Sequence, residues 1–425
     1  MKSFWYFIYN YLVIPPLKLS FYVSGLFNEK VKRGIKGRKR LFEKMIIDLA
    51  DLDKRKKRVI FHSSSLGEFE QAKPIIERLK KENDVYIIIT FFSPSGYDNS
   101  VKYPFADVIA YLPFDTGFNT RRFVRLLKPD LMIFMRYDIW PNLIWQLNSR
   151  AIPIFIVDAT MKENSKRKLP VIKNFHNTIY NKISKVLTVT DNDLNSFKDF
   201  KINSSRLKAV GDTRFDRVYQ KSLKAKEKKL FKENFFFDKK VFVMGSSWEA
   251  DEEVILPAIT KVMKYDPQTI LIIAPHEPKI SRLEEIENFL PKELNSIRFS
   301  HLNNYKNERI IVIDSIGILS TLYFYSDAAY IGGSFKQGVH NVLEAAVYGV
   351  PVLYGPKIEN SREALQLEEI GGGMVIRNKK QAYRRLRTLF ADKDLRRNQG
   401  EISHRFVQNN IGATDKILSE INQYI

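Results

Sequence analysis

A chain of 425 residues with 44% hydrophobic residues, 19 Gly and 17 Pro is long enough for two domains with separate cores, which excludes an intrinsically disordered protein. It contains no cysteine, so a disulfide framework, thiolate metal sites and a cysteine nucleophile are excluded, in accord with a reducing cytosol. A formal charge of +21 at pH 7 calls for an anionic partner: nucleic acid, an anionic membrane surface or a phosphorylated substrate.

Residues 1–45 carry ten Lys or Arg against two Glu, and six of the ten fall between Lys32 and Arg40. This basic run follows an aromatic-rich apolar stretch, 4–14, which Pro15 and Pro16 separate from a second apolar piece, 17–27. Neither piece reaches the roughly 20 apolar residues that span a bilayer, and a continuous span would have to bury or snorkel Lys18. We read 1–45 as an interfacial or marginal membrane anchor. Trp5, Tyr6, Tyr9 and Tyr11 suit a membrane interface, no small-residue cleavage site follows, and the basic run would bind anionic lipid. The alternative is a first core helix with a solvated basic face.

From Arg58 onward, short apolar or β-branched runs alternate with longer amphipathic ones, the pattern of stacked βα units. Strands are expected at 59–62, 85–90, 108–112, 131–135, 152–157 and 186–190. A second series is expected at 241–244, 270–274, 310–313, 328–331 and 350–354. The fold class is therefore α/β, with two Rossmann-like domains facing a cleft: 46–218, then a lysine-rich linker 219–240, then 241–425. The last helical pattern, 415–425, suits either domain and is assigned to the second. Ligands are expected at the carboxyl ends of the strands.

Three strand ends carry candidate chemistry. His62-Ser63-Ser64-Ser65-Leu66-Gly67-Glu68 ends a strand and opens a helix. Glu68 in the first helical turn would accept a proton from an incoming hydroxyl, or merely complete an S-x-x-E capping box with Ser65. Arg136-Tyr137-Asp138-Ile139-Trp140-Pro141-Asn142 would bring Asp138 and Trp140 to the same end, with a loop or cap contact as the alternative for Asp138.

The third segment joins Gly332-Gly333-Ser334-Phe335 and Gly338 to His340-Asn341-Val342-Leu343-Glu344. Its glycines would let backbone N–H groups approach a phosphate at a helix N-terminus, and Glu344 would accept from a ribose diol. An Asn341 cap with Glu344 as capping-box partner is the competing account. Ser246, Ser247, His276 and Lys279, after the first two strands of the second domain, would meet phosphate or carboxylate, with a structural role as the alternative for His276. No metal-binding spacing and no G-x-x-x-x-G-K-[ST] loop occurs, so neither a metal nor another cofactor is expected.

The order of Ser65–Glu68, TFFSPSG (90–96), Leu112-Pro113-Phe114-Asp115, Trp140-Pro141-Asn142, Gly211-Asp212-Thr213-Arg214-Phe215-Asp216, Gly332–Phe335, His340–Glu344 and Gly355-Pro356 with Asn360 resembles the 3-deoxy-D-manno-octulosonic acid (Kdo) transferases. The resemblance covers roughly 55–365 and implies a GT-B fold and inverting transfer of Kdo from CMP-Kdo to a glucosamine hydroxyl of a lipid A precursor, in lipopolysaccharide biosynthesis. It implies Glu68 as general base and puts CMP against Pro275, His276, Gly317, Ile318, Leu319, Asn341, Val342, Leu343 and Glu344. Ser65, Gly67, Asp138, Trp140, Ser246, Ser247, Lys279, Gly333, Ser334 and Asn360 are then candidate donor or acceptor contacts. It also implies the cytoplasmic face of the inner membrane, anchored or peripheral.

The sequence departs from that family at Arg136, where an acid is usual, and lacks the basic residue between Pro275 and His276, for which Lys279 would compensate. Another GT-B transferase or an epimerase using a UDP-sugar is the alternative enzyme. The retaining GT-B pair of Glu eight residues apart is missing, since Val352 follows Glu344 at that spacing. The non-enzyme alternative is a basic nucleic-acid or lipid-binding protein in which the glycine-rich turns only shape the fold; no RNP-like or helix-turn-helix pattern occurs to favour nucleic acid.

Overall fold

The computed structural model describes residues 2–425 and divides into two compact units, Met1–Arg217 with Gly412–Ile425, and Val218–Ile411. Each is built on a seven-stranded sheet in which every pairing is parallel.

The first sheet comprises β1 (Arg58–Ser63), β2 (Tyr86–Phe91), β3 (Val108–Tyr111), β4 (Leu131–Met135), β5 (Ile154–Ala159), β6 (Lys185–Thr188) and β7 (Leu207–Ala209). Their order is β3-β2-β1-β4-β5-β6-β7, so the chain reverses direction across the sheet between β1 and β4. Successive side chains alternate faces. Ile60, Ile88, Met132, Phe134, Ile154 and Ile156 form one core, Val59, Phe61, Ile87, Ile89, Leu131, Ile133 and Phe155 the other. Burial on both faces is why these strands read as unbroken apolar runs.

The second sheet comprises β8 (Lys240–Ser247), β9 (Thr269–Pro275), β10 (Ser296–Arg298), β11 (Ile310–Val312), β12 (Ala328–Ile331), β13 (Val352–Tyr354) and β14 (Gly373–Val375), in the order β10-β11-β9-β8-β12-β13-β14. Its reversal lies at β8, between β9 and β12.

The N-terminal segment belongs to the first unit. Helix Lys2–Phe7 runs through a widened turn, Ile8–Val13, into helix Ile14–Phe27, and Ile14 N–H bonds back to Tyr9 O in an i→i−5 step. Pro15 and Pro16 offer no N–H to the preceding turn, and their rings crowd its carbonyls; widening relieves this without breaking the helix. After helix Glu29–Arg38, helix Leu41–Asp48 inserts Leu41 and Met45 into the Ile60 core. Among the described residues no helix is long and apolar enough to cross a membrane.

The C-terminal helix, Ala413–Ile421, packs on the first unit, not the second as the sequence suggested. Ile417, Leu418 and Ile421 join the core of Val59 and Phe61. Asp216 fastens the return by accepting from Gly412 N–H at 2.7 Å, Thr414 N–H at 2.6 Å and the Thr414 hydroxyl at 2.5 Å. The expected linker is ordered: helix Thr213–Glu227 fills its first part, and Phe231 then packs with Phe235, Phe236, Phe299 and Tyr325.

Candidate active site

In the first unit the carboxyl ends of β1 and β4, which are paired neighbours, bring two of the candidate segments together. His62, buried at the end of β1, meets Asp138 Oδ2 through Nε2 at 3.1 Å and Thr90 Oγ1 through Nδ1 at 3.0 Å. The Ser64 hydroxyl also donates to Asp138 Oδ2, and Trp140 Nε1–H donates to it at 3.1 Å. Burial alone would raise the Asp138 pKa, but the His62, Ser64 and Trp140 hydrogen bonds outweigh it and hold the carboxyl below its usual range. Asp138 is thus an ionised hub that fixes His62, Ser64 and Trp140.

Glu68 lies in the first turn of helix Leu66–Glu82. The capping alternative is half realised: Ser65 Oγ accepts from Glu68 N–H at 3.4 Å, while Glu68 Oε2 accepts from Ser64 N–H at 2.6 Å, one residue before the N-cap. No hydrogen bond to the other carboxylate oxygen occurs among the described residues. Burial raises the Glu68 pKa, the Ser64 N–H opposes this, Asp138 adds to the rise, and His62 and Arg136 oppose it. The net shift is upward, toward a carboxylate more basic than usual.

Beside it, a Cβ on Gly67 would meet only Ser65 Oγ, at 3.9 Å. A helical glycine costs up to ~1 kcal/mol against alanine, and no neighbouring protein atom requires one here. The open space lies next to the raised carboxylate. Arg136, in place of the usual acid, adopts a left-handed φ of 61°.

In the second unit the ends of β8, β9 and β12 converge. His276 follows β9 and stacks between Trp248, at 4.7 Å, and His340, at 4.6 Å. Trp248 Nε1–H donates to His340 Nε2 at 3.1 Å. Burial, then His276, lowers the His340 pKa, so its ring is neutral and carries its proton on Nδ1.

The glycine loop differs from expectation. Gly332 N–H bonds to Gly245 O at 2.9 Å and Gly333 N–H to Asp251 Oδ2 at 2.8 Å, so these two donors brace the loop and do not face a ligand. A Cβ on Gly332 would lie 2.1 Å from Ser246 O; this glycine permits two strand ends to touch. Gly333 and Gly338 have φ values of 94° and 112°, which glycine alone adopts easily. The helix after the loop, Leu343–Ala346, has only four residues and so no strong dipole, and Asn341 Oδ1 accepts from its first N–H, that of Leu343, at 3.2 Å, which favours the capping account of Asn341.

Other candidates divide between exposed and structural positions. Pro275 ends β9, with His276 exposed beyond it. Gly317 has a φ of 86° and open space where a Cβ would stand, and Ile318 and Leu319 follow, half-buried. Asn341 is exposed, Val342 and Leu343 are buried, and Glu344 lies 3.6 Å from Lys221. Ser246 adopts a left-handed φ of 52°.

Ser247 is buried against Glu252 at 2.7 Å, and Ser334 accepts from Gly355 N–H at 2.5 Å. Asn360 clamps Val339, accepting from its N–H at 3.1 Å and donating to its carbonyl at 2.9 Å. These three brace the loops. Lys279 is held by Glu277 at 2.6 Å on an exposed turn. The sequence named His62 only as the head of a candidate segment and gave Trp248 and Asp251 no role; their hydrogen bonds to Asp138, His340 and Gly333 respectively reveal them. Among the described residues no cluster of three or more His, Asp or Glu is suited to a metal ion.

Residues 37–217 match the family described as 3-deoxy-D-manno-octulosonic-acid transferase (kdotransferase). The chain is 28% identical over 378 residues to the 3-deoxy-D-manno-octulosonic acid transferase of Haemophilus influenzae, covering 86% of this chain and 87% of that one. It is 29% identical over 339 residues to the protein of that name from Aquifex aeolicus, covering 78% and 86%. In fold it is similar to UDP-GlcNAc 2-epimerase from Neisseria meningitidis bound to UDP-GlcNAc, with a TM-score of 0.60, 15% identity and coverage of 86% of this chain and 100% of that one. That likeness concerns the fold alone, two Rossmann-like units of GT-B type. The match over residues 37–217 and relatives aligned across most of the chain support the Kdo transferase family of glycosyltransferases as the group this chain is similar to.

Proposed function

We propose that this protein transfers Kdo from CMP-Kdo to a glucosamine hydroxyl of a lipid A precursor, with inversion at the anomeric carbon. The observation that carries the reading is Glu68: one carboxylate oxygen held by Ser64 N–H, a raised pKa, and open space at Gly67. Glu68 removes the hydroxyl proton as that oxygen attacks the anomeric carbon, and the bond to CMP breaks with its electrons passing to the departing phosphate.

His62 and Trp140, tied through Asp138, hold the strand ends that present Glu68. Arg136, close enough to oppose the rise in the Glu68 pKa, favours the ionised base and supplies positive charge for the phosphorylated acceptor. On the second unit the reading assigns CMP to Pro275 and His276, Gly317 to Leu319, and Asn341 to Glu344. The neutral His340 offers an Nδ1–H to the phosphate as its charge grows. No resident cofactor is assigned.

The amphiphilic acceptor fits a protein that works at the cytoplasmic face of the inner membrane. Support for that placement comes from the exposed Phe4, Phe7, Tyr11, Leu12, Leu17 and Leu19 and from the basic run after them. The test is donor choice: the detergent-solubilised protein is supplied with freshly generated CMP-Kdo or with UDP-GlcNAc. Kdo transfer to a tetra-acylated lipid A precursor supports the reading. Turnover of UDP-GlcNAc alone overturns it in favour of the UDP-sugar alternative.

A further inference from the structure

The N-terminal helix has two faces. Phe4, Phe7, Tyr11 and Leu12 are exposed, whereas Tyr9 is buried and its ring packs 5.8 Å from both Trp145 and Phe175. The Tyr9 hydroxyl donates to Asp115 Oδ2 at 2.9 Å. The same buried carboxylate accepts from Asn142 N–H at 2.9 Å and Leu143 N–H at 3.0 Å.

These are the second and third residues of helix Pro141–Asn148, whose N-cap, Trp140, makes no capping bond of its own. Trp140 sends its indole N–H to Asp138 instead. Asp115 therefore caps this helix from a distant segment, and Tyr9 holds Asp115. Beside it, Asn10 and Asn142 exchange amide hydrogen bonds, 3.0 Å from Asn10 Nδ2 to Asn142 Oδ1 and 2.8 Å in return. Two consecutive residues of the N-terminal helix thus grip the helix start that immediately follows Trp140.

We propose that Tyr9 and Asn10 are positioning residues for transfer: through Asp115 and Asn142 they set the start of helix Pro141–Asn148, and so the Trp140–Asp138 pair beside Glu68. The helix then has two separable jobs, an exposed face for the membrane surface and an inner face for the site. The inference rests on the assignment of Glu68 as the base. A helix that served only as an anchor would need no buried polar network with the Trp-Pro-Asn segment, since apolar packing on Trp145 and Phe175 suffices to hold it.

The test uses the full chain in detergent, with kcat and KM measured for CMP-Kdo and the lipid A precursor, alongside sedimentation with vesicles of phosphatidylglycerol and phosphatidylcholine. Tyr9→Phe keeps the ring packing, and Asn10→Ala removes the amide exchange together with an exposed bond from Asn10 Nδ2 to Tyr6 O at 3.0 Å. Each is expected to lower kcat on the order of tenfold, the effect of one to two lost hydrogen bonds, with KM for CMP-Kdo and vesicle binding unchanged. Phe7→Ala and Tyr11→Ala are expected to do the reverse, weakening vesicle binding with kcat in detergent intact. Wild-type kcat in both Tyr9→Phe and Asn10→Ala, or a loss of kcat that merely tracks a loss of folded protein in thermal melts, overturns the proposal. A wild type that transfers no Kdo at all contradicts the underlying reaction, a separate outcome.

Discussion

Trp140 donates its indole N–H to Asp138 Oδ2 across 3.1 Å, although only Ile139 separates them in the chain. The same N–H lies 3.3 Å from His62 Nε2, so one tryptophan ties the end of β4 to the end of β1. Trp140→Phe keeps the stacking on Phe92, whose ring centroid is 4.7 Å away, and deletes only the donor. Transfer should fall on the order of tenfold, as expected for about 1–2 kcal/mol of lost hydrogen bonding, with little change in the melting temperature. Steady-state rates on the folded variant check this.

Glu68 must be ionised to act as a base, and burial is the largest cause raising its pKa. Activity should therefore rise with pH along a limb lying above the ordinary carboxylate range. Arg136 lowers that pKa, so Arg136→Gln should move the limb to higher pH; a kcat/KM profile decides. Linkage runs the other way for stability. With its folded pKa above its unfolded one, Glu68 contributes stability that is full below the unfolded value and is lost as pH rises through the folded value.

Gly67 has room for a methyl group within the protein itself. Gly67→Ala should fold with stability unchanged or raised by up to ~1 kcal/mol, yet bind the lipid A precursor more weakly, because the methyl group occupies acceptor space. Denaturant melts and the acceptor KM separate the two effects. An unchanged KM would remove the argument that this glycine serves a ligand.

Asn360 holds the glycine loop through two hydrogen bonds to Val339, and its Oδ1 would stand 2.7 Å from a Cβ on Gly338. Asn360→Ala should loosen the loop before Asn341–Glu344 and weaken CMP binding on the order of tenfold, equivalent to about 1–2 kcal/mol. Calorimetric titration with CMP measures it directly.

Much of this architecture was legible along the chain. Both sheets show their central strands as β-branched runs because both faces are buried. The strands that escaped notice, β7, β10 and β14, have three residues each and lie at sheet edges, too short for a periodic apolar pattern to show. The C-terminal helix could not be placed from its own pattern, since Asp216 and the Val59 core decide its position from elsewhere.

At the site, Glu68, Asp138 and Trp140 could be named from local motifs, whereas the hydrogen bonds that tie Asp138 and Trp140 to His62 emerge from the β1–β4 pairing. The glycine loop misled for a physical reason. A cluster of glycines signals close backbone approach, and here the approaching backbone is the protein's own, at Ser246.

The central claim is that Glu68 removes the acceptor proton, and Glu68→Gln tests it most directly, because glutamine can still accept from Ser64 N–H and so preserve the cap. Transfer of Kdo from CMP-Kdo to a lipid A precursor is measured in detergent for wild type and for a variant shown to be folded. The account predicts a loss of about 10²–10⁴-fold, the range for a missing general base. A folded Glu68→Gln protein that transfers at the wild-type rate would make Glu68 a capping residue and contradict the mechanism.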